Sequence, residues 1–318
     1  MGWAYVFPGQ GSQAVGMGKE LHDAFAEARE VFEEVDEALK QTLSKLMFEG
    51  PDDELTLTEN AQPALMAVSI AVMRILAKQG AVSLKDTARF VAGHSLGEYS
   101  ALAAAGALSV EDTARLLKIR GLAMQAAVPV GEGAMAVLLG LELDVVQEVV
   151  AAAADEQVCA AANDNAPGQV VVSGDAAAVE RAIELAKEKG AKRAIMLSVS
   201  APFHCSLMAP AAEAMASALE AVQIQAPVVP LVANVTASSV IDPEEIRKLL
   251  VAQVTGMVRW RESVTMMRAA GVDTLVEAGA GKVLSGMARR IDRDLKTVSL
   301  QEPGDVEARP GGAKVERP

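Results

Sequence analysis

Phe90-Val91-Ala92-Gly93-His94-Ser95-Leu96-Gly97 is the stretch that decides the fold. Its first three residues have strand character, the next five make a small-residue turn, and an Ala-rich helical segment follows. A strand, a sharp turn and a helix around G-x-S-x-G lift a serine hydroxyl out of a parallel sheet and above a helix N-terminus. The pattern fixes only three positions, and most chance matches are ordinary turns. Its setting makes Ser95 the candidate nucleophile.

Working outward, residues 3–7 read as a short buried strand that runs into the turn Pro8-Gly9-Gln10-Gly11-Ser12-Gln13. Met17, Leu21, Phe25, Phe32, Val35 and Leu39 recur at helical spacing, so one long amphipathic helix is expected next. A second helix is expected over about 61–77. From Gly133 to Ser200 the rhythm changes to strand 133–141, helix 143–154, strands near 157–163 and 168–173, helix 175–189 and strand 193–199. That βαββαβ order is ferredoxin-like. The expected architecture is α/β: an α/β-hydrolase-like large domain with a parallel sheet, residues 1–130 and 200–301, and an inserted ferredoxin-like subdomain, 131–199. Residues 302–318 scatter Pro and Gly among charges and are expected to be a disordered tail.

The 318 residues are 51% hydrophobic and 22% charged, a globular balance, and only 3% aromatic. A net charge of -13 repels phosphates, which argues against a nucleic-acid partner. Cys159 and Cys205 form no CxxC, so neither a disulfide scaffold nor a cysteine metal site is expected, and a reducing cytoplasm fits. No basic segment precedes the apolar residues at the N-terminus and no charge-free run reaches transmembrane length, so no membrane association is expected.

A serine nucleophile needs a base, and there are three histidines. His22 lies among Glu20, Asp23 and Glu27 and is expected on a solvated face. His94 adjoins Ser95 in the turn and is expected to point elsewhere, shaping the elbow or the substrate pocket. His204 follows a strand end and Pro202-Phe203, which suits a base reaching a neighbouring elbow. No acid stands out as the third member; an amide or a backbone carbonyl could serve instead. On the helix that opens at Ser109, Arg120 shares a face with Thr113, Leu116, Leu117 and Met124 and therefore points inward. An inward guanidinium is either a structural ion pair or a fork for a substrate carboxylate. The Gly9-Gln10-Gly11 turn lacks the third glycine of a dinucleotide loop. It is better suited to aim a backbone N–H at an acyl oxygen, with the Leu96 N–H as the second donor.

FPGQGSQ (7–13), GHSLGEYSAL (93–102), KIRG (118–121), NAPGQVVVSG (165–174), APFH (201–204) and AGAGKVL (278–284) together resemble the malonyl-CoA:acyl carrier protein transacylases, over residues 3 to 300 and in the family's order. The resemblance implies Ser95 as nucleophile, His204 as base and Arg120 as partner of the malonate carboxylate. It implies Gln10 and Leu96 as oxyanion donors, and Gln253, in VAQVTGMVRW, as the residue whose carbonyl replaces the triad acid. Phe203 fits the position that narrows the pocket toward malonyl. Ala280 departs from the family's usual proline, away from the chemistry. The implied activity is transfer of malonyl from malonyl-CoA to the pantetheine thiol of acyl carrier protein for fatty-acid synthesis, by a cytoplasmic monomer without metal or redox cofactor. The alternatives are the same transfer in a polyketide pathway, a serine hydrolase or thioesterase, and a silent carrier-binding module. Carrier proteins of this type are acidic. A basic docking surface is therefore expected at Lys187, Lys189, Lys192 and Arg193, or at Arg289, Arg290 and Arg293, unless these are ordinary solvated helix ends.

Overall fold

The computed structural model describes residues 2–79 and 82–308. Among them the chain forms ten strands: β1 Trp3–Phe7, β2 Ala88–Gly93, β3 Gly133–Leu139, β4 Cys159–Ala166, β5 Gln169–Asp175, β6 Arg193–Met196, β7 Leu231–Ala233, β8 Ser238–Val240, β9 Thr274–Ala278 and β10 Lys296–Leu300. They make a mixed α/β protein with two sheets.

The larger sheet has the order β10-β9-β1-β2-β7-β8. All its pairings are parallel except the short β8, which runs antiparallel to β7. Helices cover both faces, so its central strands are apolar throughout instead of alternating. Tyr5 and Phe7 enter the core built on the helices Ala26–Leu39, Thr58–Lys78 and Val110–Ala126, whereas Ala4 and Val6 face Trp260, Val264 and Leu284 on the other side. The strand order reverses at β1: β2 and β7 extend one way, β9 and β10 the other. Crevices at the carboxyl ends of strands beside such a reversal are the usual ligand sites of open α/β sheets. Phe7 is in register with Gly93, so the turn after β1 and the turn holding Ser95 emerge side by side.

The smaller sheet, β4-β5-β3-β6, is wholly antiparallel. The helices Leu143–Ala154 and Ala176–Glu188 bury one face in a separate core around Leu138, Val149, Val172 and Val179. From its other face Met135 and Val171 join the main core. β4 is tied across by Asp164 N–H to the Val258 carbonyl at 2.9 Å and by the Asp164–Arg261 ion pair at 2.8 Å.

Three sequence expectations change. The long first helix is instead Lys19–Ala24 and Ala26–Leu39, split at Phe25, whose backbone is extended (φ -129, ψ 130). Met17 lies before it, because Gly16 and Gly18 adopt positive φ and stop the helix. Apolar spacing reports which face is buried and is blind to a one-residue break. His22 is only one-third exposed and packs against Phe32 and Phe48 at 6.2 and 5.1 Å between ring centres. The start of the expected disordered tail is a helix, Pro303–Glu307, whose N-terminus Glu302 and Asp305 cap reciprocally and which buries Pro303 and Val306. The rest of that tail, 309–318, lies outside the described residues. Thr58–Lys78 is long and apolar enough to cross a membrane, but 89% of its apolar window is buried inside this protein, as a core helix.

Candidate active site

Ser95 sits at φ +54, a left-handed conformation that a serine adopts only where its surroundings impose it. Two glycines make the turn possible. A Cβ on Gly93 would lie 1.9 Å from the Gly97 carbonyl, and one on Gly97 would lie 2.2 Å from the Phe7 oxygen. Asn234 holds the turn from below, accepting from the Ser95 N–H at 2.8 Å and donating Nδ2 to the Gly93 carbonyl at 2.7 Å. The hydroxyl thus stands above the N-terminus of the helix Gly97–Ala104.

His204 also has positive φ, +60, and its Nε2 lies 2.8 Å from Ser95 Oγ. Its Nδ1 faces the carbonyls of Gln253 at 2.9 Å and Gly256 at 3.2 Å. Carbonyls only accept, so Nδ1 carries the proton and Nε2 is left to accept from the serine. Burial, reinforced by the nearby Arg120 charge, pushes the imidazolium down to about 3, so the ring is neutral at physiological pH.

Arg120 comes up beneath the serine. Its helix passes so close to Thr58–Lys78 that a Cβ on Gly121 would lie 2.4 Å from Glu59 Cα. Arg120 is 1% exposed. Nη1 donates to Gln62 Oε1 at 2.9 Å; Nη2 donates to Gln253 Oε1 at 2.8 Å and to Ser95 Oγ at 3.1 Å. All three acceptors are neutral, and Nε has no partner. Glu98, equally buried, accepts from Gln253 Nε2 at 2.9 Å and from the Asn234 N–H at 3.1 Å; burial pushes its carboxyl up to about 7.

Above these groups opens a cleft of about 350 Å³. Gln10, His94, Ser95, Leu96, Phe203 and His204 line it, together with Met135, Val171, Leu197 and Val199 from the smaller sheet and the segment after β6. Among the described residues the backbone N–H groups of Gln10 and Leu96 meet no protein acceptor. His94 turns away from the serine, its Nε2 2.8 Å from Asn165 Oδ1. Arg120 and Gln253 lie under the cleft, not in its wall.

The fold therefore gathers all eight candidates. It adds Asn234, Glu98, Gln62 and Asn165, which the sequence reading did not single out. Glu98 carried a signal, as a carboxylate inside an otherwise apolar Ala-rich helix start; the three amides carried none. Cys205 donates to the Pro202 carbonyl at 3.2 Å, and burial pushes its thiol up, away from reactivity. Among the described residues no group of three or more His, Cys, Asp or Glu could hold a metal ion.

Residues 4–299 match the acyl transferase domain family. This chain belongs to that family. The acyl transferase is 48% identical to the malonyl CoA-acyl carrier protein transacylase of Bacillus subtilis, over 96% of this chain and 95% of that one. It superposes on the acyl-carrier-protein-S-malonyltransferase of Bartonella henselae with a TM-score of 0.95 at 58% identity, covering 97% and 98% of the two chains. It is also similar to a malonyl-transacylase solved in complex with its type II PKS acyl-carrier protein: TM-score 0.93, 41% identity, 96% and 98% covered. The matched span reaches every strand of both sheets and ends before the Pro303–Glu307 helix.

Proposed function

We propose that this acyl transferase moves malonyl from malonyl-CoA to the phosphopantetheine thiol of acyl carrier protein through a Ser95 acyl-enzyme. The carrying observation is that Ser95 Oγ lies within hydrogen-bond reach of both a neutral imidazole and a buried guanidinium that has only neutral acceptors. His204 takes the serine proton as Oγ attacks the thioester carbon, and the Gln10 and Leu96 N–H groups receive the oxyanion. Arg120 offers the malonyl carboxylate its unpartnered Nε–H and the Nη2 hydrogen now on Ser95 Oγ, while Gln62 and Gln253 keep hold of the rest of the guanidinium. As the C–S bond breaks, His204 returns the proton to the CoA thiolate. The carrier thiol then enters, gives its proton to His204 and attacks the Ser95 ester; as the ester C–O bond breaks, His204 passes that proton to Ser95 Oγ, releasing malonyl-carrier and free serine. No metal or redox cofactor takes part. Phe203 narrows the cleft toward malonyl, and His94, fixed by Asn165, shapes the wall beside it.

The same reading covers the architecture. β3 to β6 all fall within 131–199, and their order 2-3-1-4 in chain sequence, with a helix after the first and third, supports a ferredoxin-like insertion. Residues 1–130 and 200–301 form the large catalytic unit, hydrolase-like in its elbow. For the carrier, Lys192, Arg193 and Arg290 line one cleft with a single acid, Glu142, so members of both expected basic sets converge there; Lys187 and Lys189 are paired with Glu184 and Glu148. The reading includes a monomer, and two free cysteines suit the cytoplasm. The transfer supplies extender units for fatty-acid synthesis, with a polyketide pathway as the alternative.

Intact-mass spectrometry after brief exposure to malonyl-CoA tests this reading. A malonyl adduct is expected on the wild type, absent in Ser95→Ala, and discharged faster by holo-carrier protein than by water. Faster discharge by water makes the protein a hydrolase, and no adduct removes the proposal.

A further inference from the structure

Glu98 is 1% exposed and takes no part in the transfer steps. A carboxyl is retained in such a place only if its bonds compensate for lost hydration. Its Oε2 accepts from Gln253 Nε2 at 2.9 Å and from the Asn234 N–H at 3.1 Å, and its Oε1 has no partner. Those two partners hold the site together. Gln253 Nε2 also donates to the Ser95 carbonyl at 2.9 Å, its Oε1 accepts from Arg120, and its backbone carbonyl accepts from His204. Asn234 accepts from the Ser95 N–H.

The amide of a glutamine fills nearly the same space in either of two orientations, which differ in where the oxygen lies. In the observed one, Nε2 faces only acceptors, Glu98 and the Ser95 carbonyl at 2.9 Å and Asn234 Oδ1 at 3.5 Å, and the oxygen faces the guanidinium. Reversed, NH2 would meet the guanidinium, donor against donor, and the oxygen would meet a carboxylate and a carbonyl, acceptor against acceptors. We propose that Glu98 is a positioning residue: its carboxyl fixes the Gln253 amide with the oxygen toward Arg120, and so aims the guanidinium that receives the acyl carboxylate. The inference rests on the role of Arg120 proposed above. A proton taken up by Glu98 belongs on the unpartnered Oε1, which leaves Oε2 accepting in either state. A glutamine at 98 offers the same acceptor through its amide oxygen.

The test compares wild type with Glu98→Met, Glu98→Gln, Gln253→Leu (which keeps the carbonyl that holds His204) and the Glu98→Met/Gln253→Leu double variant. Each is checked for a cooperative thermal melt, and Ser95 loading is timed by intact mass with malonyl-CoA and acetyl-CoA. Glu98→Met is expected to lose malonyl-over-acetyl preference by roughly tenfold or more, the effect of one hydrogen bond to a charged group. Glu98→Gln is expected to restore it to within about threefold, and the double variant to be no worse than the worse single, since both remove one constraint. A folded Glu98→Met with wild-type preference overturns the inference, as do additive single effects or a Glu98→Gln as impaired as Glu98→Met. If Glu98→Met does not melt cooperatively, Glu98→Ala replaces it under the same criteria. Wild type loading malonyl on Ser95 keeps the transfer proposal whatever the Glu98 variants do; wild type without the adduct removes that proposal first.

Discussion

Glu277 on β9 and Arg120 on the helix Val110–Ala126 are both ionisable and both sealed from solvent, yet they are held in opposite ways. Glu277 accepts from the Leu284 N–H at 2.9 Å and the Ser285 N–H at 2.8 Å, so it caps the helix Val283–Ile291 at its positive end. Asp164 is similar, gripped by Arg261 through both carboxylate oxygens. Arg120 meets only neutral oxygens and leaves Nε unpaired. A buried ionic group with its bonds completed holds structure; one left incomplete beside Ser95 is what the proposed grip on an acyl carboxylate requires.

The largest effect that bears on this contrast is expected from Arg120→Met. Malonyl loading of Ser95 should fall by about two to three orders of magnitude, the effect of leaving a charge without its partner. The variant should melt no lower than wild type, because an incompletely paired buried charge has been removed. A melting temperature depressed along with activity would make Arg120 a structural residue like Glu277. Glu277→Ala should do the reverse. Urea unfolding should show a loss of about 1–3 kcal/mol, with loading at low temperature within about twofold of wild type.

The smallest effect concerns pH. Burial holds His204 down at about 3, so kcat/KM should show no acid limb near 6.5, and Arg120→Met should move that limb upward by removing a neighbouring positive charge. A pH–rate profile with a limb near 6.5 in wild type would show that His204 is solvated in the working enzyme. Stability follows from the same shifts. Between about 3 and 6.5 the unfolded chain binds the His204 proton and the folded chain does not, so this group's contribution weakens as pH falls through that window. Glu98, raised to about 7, keeps a proton in the fold that the unfolded carboxyl loses above its usual 4.5. Its contribution therefore weakens as pH rises between 4.5 and 7.

Much of this was legible along the chain. The strand–turn–helix around Ser95, the βαββαβ order and the inward face of Arg120 are local or periodic features, and local periodicity survives in sequence. The break at Phe25 and the helix after Glu302 were not legible, because each depends on packing and capping that apolar spacing and composition do not register. Asn234 and Gln62 were invisible for another reason: an amide gains its meaning from what it faces, and what they face lies 139 and 58 residues away.

By itself, then, the sequence determined the elbow, the inward arginine and the choice of histidine, since glycine spacing, helical phase and scarcity are written in one dimension. Only the tertiary structure decided that His204 Nδ1 faces the Gln253 carbonyl at 2.9 Å, that the Arg120 fork donates to neutral oxygens alone, and that Glu98 is bonded to the Gln253 amide between them. These are long-range hydrogen bonds, and their partners are set by how helices and loops converge at the carboxyl ends of β1 and β2.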